Sequence, residues 1–129
     1  MMKKKKKVLL VDDDRDFVEA NKLILESKDY EVITAHDGES AKQKSLDSEP
    51  DVIILDVMME THQTGFEVAR WLREQEATKA IPIVMLTAVN QHFPLNFDKD
   101  EIWLPVDEFL EKPVEPDRLL KMIQNKTDS

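Results

Sequence analysis

Five polar side chains, scattered from position 12 to position 112, each come just after a short apolar run. Asp12 and Asp13 follow Val8–Val11, Asp56 follows Val52–Leu55, Thr87 follows Ile81–Leu86, and Lys112 comes after Glu108–Leu110. Brought together, these groups have complementary chemistry. Three carboxylates packed side by side repel one another and bind protons more tightly unless a cation neutralises them. An all-oxygen donor set suits a hard divalent ion, of which Mg²⁺ is the natural candidate. With the ion in place a carboxylate can attack phosphorus, while an ammonium and a hydroxyl stabilise the phosphoryl oxygens. Lys112 and Thr87 supply those two groups.

What could bring them together is the pattern of the runs themselves. Val8–Val11, Glu31–Ala35, Val52–Leu55 and Ile81–Leu86 are rich in β-branched residues and lack strict alternation, as strands buried on both faces do. A fifth, weaker run, Glu108–Leu110, is bracketed by Pro105 and Pro113. Between them lie segments of helical spacing, with Phe17, Ala20 and Ile24 in the first and Phe66, Ala69 and Leu72 in the third. The second, near Glu39–Leu46, is less hydrophobic, and the last, Pro116–Asn125, carries Leu119, Leu120 and Ile123 behind a proline suited to a first helical turn. Strand and helix alternating about five times predict an α/β domain with a parallel sheet and right-handed crossovers. In such a sheet the carboxyl-terminal strand ends share one edge, where ligands bind.

Bulk properties narrow the function further. A chain of 129 residues, 41% hydrophobic and 35% charged, suits one folded domain. A net charge of −9 argues against general affinity for nucleic acid, which needs a basic face. The run Lys3–Lys7 is read as a solvated tail rather than a contact for a membrane or nucleic acid. There is no cysteine, so disulfides, thiolate metal sites and thiol nucleophiles are excluded. No apolar run approaches the ~20 residues that span a bilayer, and Val8–Val11 is too short for a signal-peptide core. The expectation is a cytoplasmic protein.

Four segments carry a resemblance to a known family: Val8-Leu-Leu-Val-Asp-Asp-Asp14, Ile53-Ile-Leu-Asp-Val-Met-Met59, Met85-Leu-Thr-Ala88 and Glu111-Lys-Pro-Val114. Any one alone is weak. Together, in order and at suitable spacing, they resemble the receiver domains of two-component response regulators over essentially the whole chain. That resemblance implies a flavodoxin-like, CheY-like doubly wound sheet of five parallel strands in the order 2-1-3-4-5, with helices on both faces. It implies that Asp13 and Asp56 bind Mg²⁺ through side chains, Met58 through its backbone carbonyl and Asp12 through water. Asp56 becomes the phosphoacceptor, Thr87 and Lys112 the groups that bind its phosphoryl oxygens, and Thr87 with Phe109 the switch pair. Lys112-Pro113 resembles the family's cis peptide. The implied donor is a sensor histidine kinase or phosphotransfer protein, and the implied output is a downstream protein rather than nucleic acid or membrane. The molecule is expected to be a monomer or a phosphorylation-dependent dimer. The domain is expected over residues 8–126, after a lysine-rich tail at 1–7 and with no effector domain. It is not a conventional enzyme, although it helps catalyse its own Mg²⁺-dependent phosphorylation and dephosphorylation.

Blander readings exist for each residue. Asp12 to Asp14 could form only a turn and a helix cap, with Asp14 the capping member. Lys112 could be a surface lysine, and Phe109 a core aromatic. His36, His62 and His92 have no mutual metal-ligand spacing and are read as surface residues. The chain also departs from the family pattern. Glu60 replaces a usual proline and Gly65 arrives about one residue late, so the loop Glu60–Thr64 is altered. The stretch 88–107 is longer than expected and contains Pro94 and Pro105, which predicts a fourth helix that is short, displaced or partly unwound, within Asp98–Leu104. Trp103 there is read as a buried anchor or as a partner contact. The competing functions are a phosphorylation-independent binding module, a receiver domain excised from a longer regulator, and an aspartyl-intermediate phosphatase. The last requires an acid two positions after Asp56, where Met58 stands.

Overall fold

The computed structural model describes residues 5–57, 64–88 and 106–127. Along the chain run β1 (Lys7–Val11), α1 (Arg15–Ser27), β2 (Glu31–Ala35), α2 (Gly38–Ser48), β3 (Val52–Asp56), α3 (Thr64–Glu74), β4 (Ile83–Ala88), β5 (Glu108–Lys112) and α4 (Pro116–Thr127). The five strands form one parallel sheet in the order β2-β1-β3-β4-β5. The order reverses between β1 and β3, and this is where a doubly wound sheet opens a crevice at its carboxyl edge.

Alternation along the strands splits the core in two. Val8, Leu10, Ile54, Val84, Leu86 and Leu110 point to one face, where Val18 and Leu25 of α1 and Leu119 and Ile123 of α4 cover them. Leu9, Val11, Ile53, Leu55 and Met85 point to the other, under Ala41 of α2 and Val68, Ala69 and Leu72 of α3. Central strands buried on both sides explain why their sequences read as continuous apolar runs. Each fully buried Leu, Ile or Val side chain in these layers contributes about 1.5–3 kcal/mol relative to exposure.

Local chemistry sets the helix starts. Asp14 caps α1 by accepting from Phe17 N, and Asp37 caps α2 by accepting from Ser40 N at 2.7 Å. That bond from Ser40 to its carboxylate holds the Asp37 pKa below the ordinary value. At the far end of the molecule, Tyr30 Oη and Thr127 Oγ1 lie 3.4 Å apart and join the start of β2 to the end of α4.

The structure corrects several sequence expectations. In α1 the core-facing residues are Val18, Asn21 and Leu25, whereas Ala20 is exposed and Phe17 and Ile24 are only partly buried. Strand β4 begins at Ile83, after Pro82, and runs on through Thr87. Strand β5 extends to Lys112 itself. The expected fourth helix within Asp98–Leu104, and Trp103 with it, lie outside the described residues. Among the described residues, no helix is long and apolar enough to cross a membrane.

Candidate functional site

Strand β1 ends inside the molecule, and Asp12 leaves it fully buried. The backbone N–H of Asp12 donates to Ala35 O (3.1 Å) and its carbonyl lies 3.0 Å from His36 Nδ1. A carbonyl can only accept, so the His36 ring carries its proton on Nδ1 in this contact. One carboxylate oxygen, Oδ1, accepts from the Asp14 N–H at 3.0 Å, which folds the chain into the tight turn that presents Asp13 to solvent. Asp14 then turns its own carboxylate to Phe17 N at 3.1 Å and starts α1. Sequence alone reads this triplet as turn, cap or ligand set; the structure shows the turn and the cap, and it also brings Asp12 and Asp13 into a cluster of acids.

Asp56 is the last residue of β3, opposite Leu86 in β4 and 5% exposed. Behind it α3 starts unusually close. Gly65 N donates to Val57 O at 2.8 Å, and a Cβ on Gly65 would lie 2.6 Å from Val57 Cα and in collision with Asp56 O. Only glycine permits this approach. The late-arriving glycine of the sequence is thus the residue that lets α3 seat against the backbone of Asp56.

Across the sheet edge, one ligand oxygen from each of Asp12, Asp13 and Asp56 falls within 4.8 Å of the others. Lys112, at the end of β5, reaches into the same place, its Nζ 2.6 Å from Asp12 Oδ2 and 3.6 Å from Asp56 Oδ2. Burial by itself lowers the pKa of a lysine. Here the hydrogen bond and charge of Asp12, with Asp56 and Asp14 behind it, more than offset that and hold Lys112 above its ordinary value. The ammonium is therefore charged at neutral pH. On its open side it sits 4.8 Å from the centroid of the Phe17 ring. The peptide bond to Pro113 is cis.

Thr87 is buried near the carboxyl end of β4, opposite Glu111, and Phe109 is partly buried opposite Met85. Two residues apart in paired register, Thr87 and Phe109 fall on the same face of the sheet, within diagonal reach of one another. Met58, Glu60, His62 and His92 lie outside the described residues. His36 corrects its reading as a surface residue, because it is half-buried and bonded to the backbone of Asp12.

The donor set fits a magnesium-like ion. It is made of oxygen alone, one member is solvent-exposed and two are buried, and three carboxylates facing one ammonium leave two negative charges that a divalent cation balances.

Comparison with known proteins agrees with this geometry. The family model described as "Response regulator receiver domain" matches residues 8–124. The chain is 40% identical over 111 residues to the alkaline phosphatase synthesis transcriptional regulatory protein PhoP of Bacillus subtilis, covering 86% of this chain and 44% of that protein. It is 36% identical over 118 residues to the transcriptional regulatory protein CpxR of Escherichia coli, covering 92% and 47%. It thus spans less than half the length of these relatives. Among solved structures, the chemotaxis response regulator CheY4 of Vibrio cholerae superposes with a TM-score of 0.80 at 34% identity, covering 95% of this chain and 99% of that one. The strand order, the acid-lined sheet edge and the family match over nearly the full length lead to one assignment, and the chain belongs to the response regulator receiver domains.

Proposed function

We propose that this chain is a phosphoacceptor switch that takes a phosphoryl group from a phosphohistidine of a sensor kinase or phosphotransfer protein onto Asp56. The observation that carries the reading is the meeting of Asp12, Asp13 and Asp56 within 4.8 Å, with Lys112 bridging Asp12 and Asp56. A carboxylate oxygen of Asp56 attacks phosphorus as the P–N bond of the donor breaks, and the bonding pair returns to the imidazole. In the reverse direction of signalling, water attacks the same phosphorus, the P–O bond to Asp56 breaks, and inorganic phosphate leaves.

The residues divide this work. Asp12 and Asp13 would hold Mg²⁺ together with Asp56, and the ion would supply positive charge to offset the negative charge on the phosphoryl oxygens. Lys112 moves its ammonium from Asp12 towards a phosphoryl oxygen, a short displacement given its 3.6 Å separation from Asp56 Oδ2. Thr87 donates its hydroxyl to another phosphoryl oxygen, and Phe109 follows on the same sheet face, biasing an output surface between two states. By the family resemblance, Met58 would add a backbone carbonyl to the ligands of the ion. The switching unit is residues 8–126, and its output is contact with another protein surface.

The test is incubation with acetyl phosphate and Mg²⁺, followed by intact mass measurement. Wild type is expected to gain one phosphoryl mass and Asp56→Asn none. A wild-type chain that stays unmodified under conditions that label CheY4 would instead leave a binding module with a silent acidic pocket.

A further inference from the structure

Lys112 is held by more than its carboxylate partners. A closed circuit of contacts runs from its Nζ to Asp12 Oδ2 (2.6 Å), from Asp12 Oδ1 to Asp14 N (3.0 Å), and from Asp14 Oδ1 to Phe17 N (3.1 Å). The Phe17 ring closes it by facing Lys112 Nζ at 4.8 Å from its centroid. Phe17 is therefore fixed by its own backbone to the turn that carries Asp12 and Asp13, and its side chain meets the ammonium that contacts Asp12 and Asp56.

We propose that Phe17 is a positioning residue for Lys112, whose ring face holds the ammonium over the cleft so that it can pass from Asp12 to a phosphoryl oxygen on Asp56. The inference rests on the phosphoacceptor reading above. An ammonium has three N–H donors on a flexible four-carbon stem, and a carboxylate that bound it by itself would hold it back from the phosphoryl group. An aromatic face attracts the charge through its quadrupole without engaging those donors in a directional bond. It restrains where Nζ sits while leaving its hydrogen bonds free to exchange. The partial burial of Phe17 against the core cluster under α1 and α4 keeps the ring from turning away, and only 23% of the Lys112 side chain remains exposed.

An aliphatic side chain of similar size would pack in the same place and lack the quadrupole. In the full chain, Phe17→Leu is expected to lower the maximal rate of Asp56 phosphorylation by acetyl phosphate about 3- to 10-fold, the range of a partly desolvated cation–aromatic contact. The half-saturating donor concentration is expected to change less than about twofold, because the ring acts on the transferring group. Phe17→Tyr, which restores a ring, is expected to recover the wild-type rate to within about twofold. A second measurement needs no variant: in the NMR spectrum of the wild-type chain, the ring current shifts the Lys112 ε-methylene protons upfield, a shift lost in Phe17→Leu and kept in Phe17→Tyr.

Phe17→Leu phosphorylating at the wild-type rate, Phe17→Tyr as slow as Phe17→Leu, or an unshifted Lys112 ε-methylene in wild type each overturns the inference. If wild type itself takes no phosphoryl group, the phosphoacceptor reading fails first. If wild type is phosphorylated and the two variants match it, the assignment of Phe17 fails alone.

Discussion

Asp12 has every polar atom engaged: its N–H with Ala35, its carbonyl with His36, one carboxylate oxygen with Asp14 and the other with Lys112. Such a residue cannot swing toward a ligand, so its place in the cleft is set by its neighbours. Of those neighbours His36 is the one that sequence gives least reason to notice, since its partner is 24 positions away and is a backbone atom. Removing the imidazole leaves a carbonyl at the end of β1 without its donor, and an unpaired buried acceptor costs about 1–3 kcal/mol. His36→Leu is expected to lose that much in urea unfolding without Mg²⁺ and to weaken Mg²⁺ binding measured by calorimetry. In His36→Asn the amide nitrogen can stand where Nδ1 stood, and most of both losses should return. Equal behaviour of the two variants would mean that the Asp12 carbonyl finds another donor.

At the scale of elements, the cleft depends on how closely α3 can approach β3. Gly65 puts its backbone where any Cβ would run into Asp56 and Val57, and those obstacles are main-chain atoms that cannot rotate aside. In Gly65→Ala the start of α3 must therefore lift away and drag the end of β3 with it. The expected cost is about 1–3 kcal/mol of stability, as for other overpacked sites. Because the displaced strand end is Asp56 itself, phosphorylation by acetyl phosphate should slow as well, followed by intact mass against time. A variant stable and fast would show slack at this junction. The strands were legible because parallel sheets need uninterrupted apolar runs, and Val8–Val11 and Val52–Leu55 supply them. Their ends were less so: Thr87 and Lys112 are polar, which a reading by hydropathy places beyond the strand although the hydrogen-bond ladder includes them. The stripe of α1 was misassigned by a similar ambiguity, since Phe17 and Val18 are adjacent apolar residues and only the packing of the fold says that Val18 enters the core. Phe17 is only partly buried against that core, and its ring faces Lys112, a partner that no local pattern contains.

The whole molecule adds a constraint of its own, because among the described residues Lys112 lies on an edge strand that pairs with β4 alone. An edge strand frays unless something holds its start, and here that is Asp107. Its Oδ2 accepts from Ile83 N and from Arg73 Nη2, both at 2.8 Å, and its N–H donates to Ile83 O at 2.9 Å. Arg73 in turn donates to the carbonyls of Lys79 and Ile81, so one guanidinium ties the end of α3, the loop behind it and the start of β5 together. Lys126 of α4 reaches Glu108 from the other face of the sheet at 3.2 Å. Two contributions can be separated. Asp107→Asn keeps an oxygen for the Ile83 N–H and loses the exposed ion pair, which is worth about 0–1 kcal/mol. Asp107→Ala loses both and leaves a part-buried N–H unpaired, a loss of about 1–3 kcal/mol. The larger loss should be local: amide hydrogen exchange is expected to quicken along β5 in Asp107→Ala and to stay slow in β1 and β3, the strands at the centre of the sheet. A strand that opens more often carries Lys112 out of the cleft more often, so phosphorylation should slow in Asp107→Ala to the extent that the open state becomes a substantial fraction of the molecules. Uniform quickening across all five strands would place the Asp107 bonds in the global stability of the fold and not in the seating of β5.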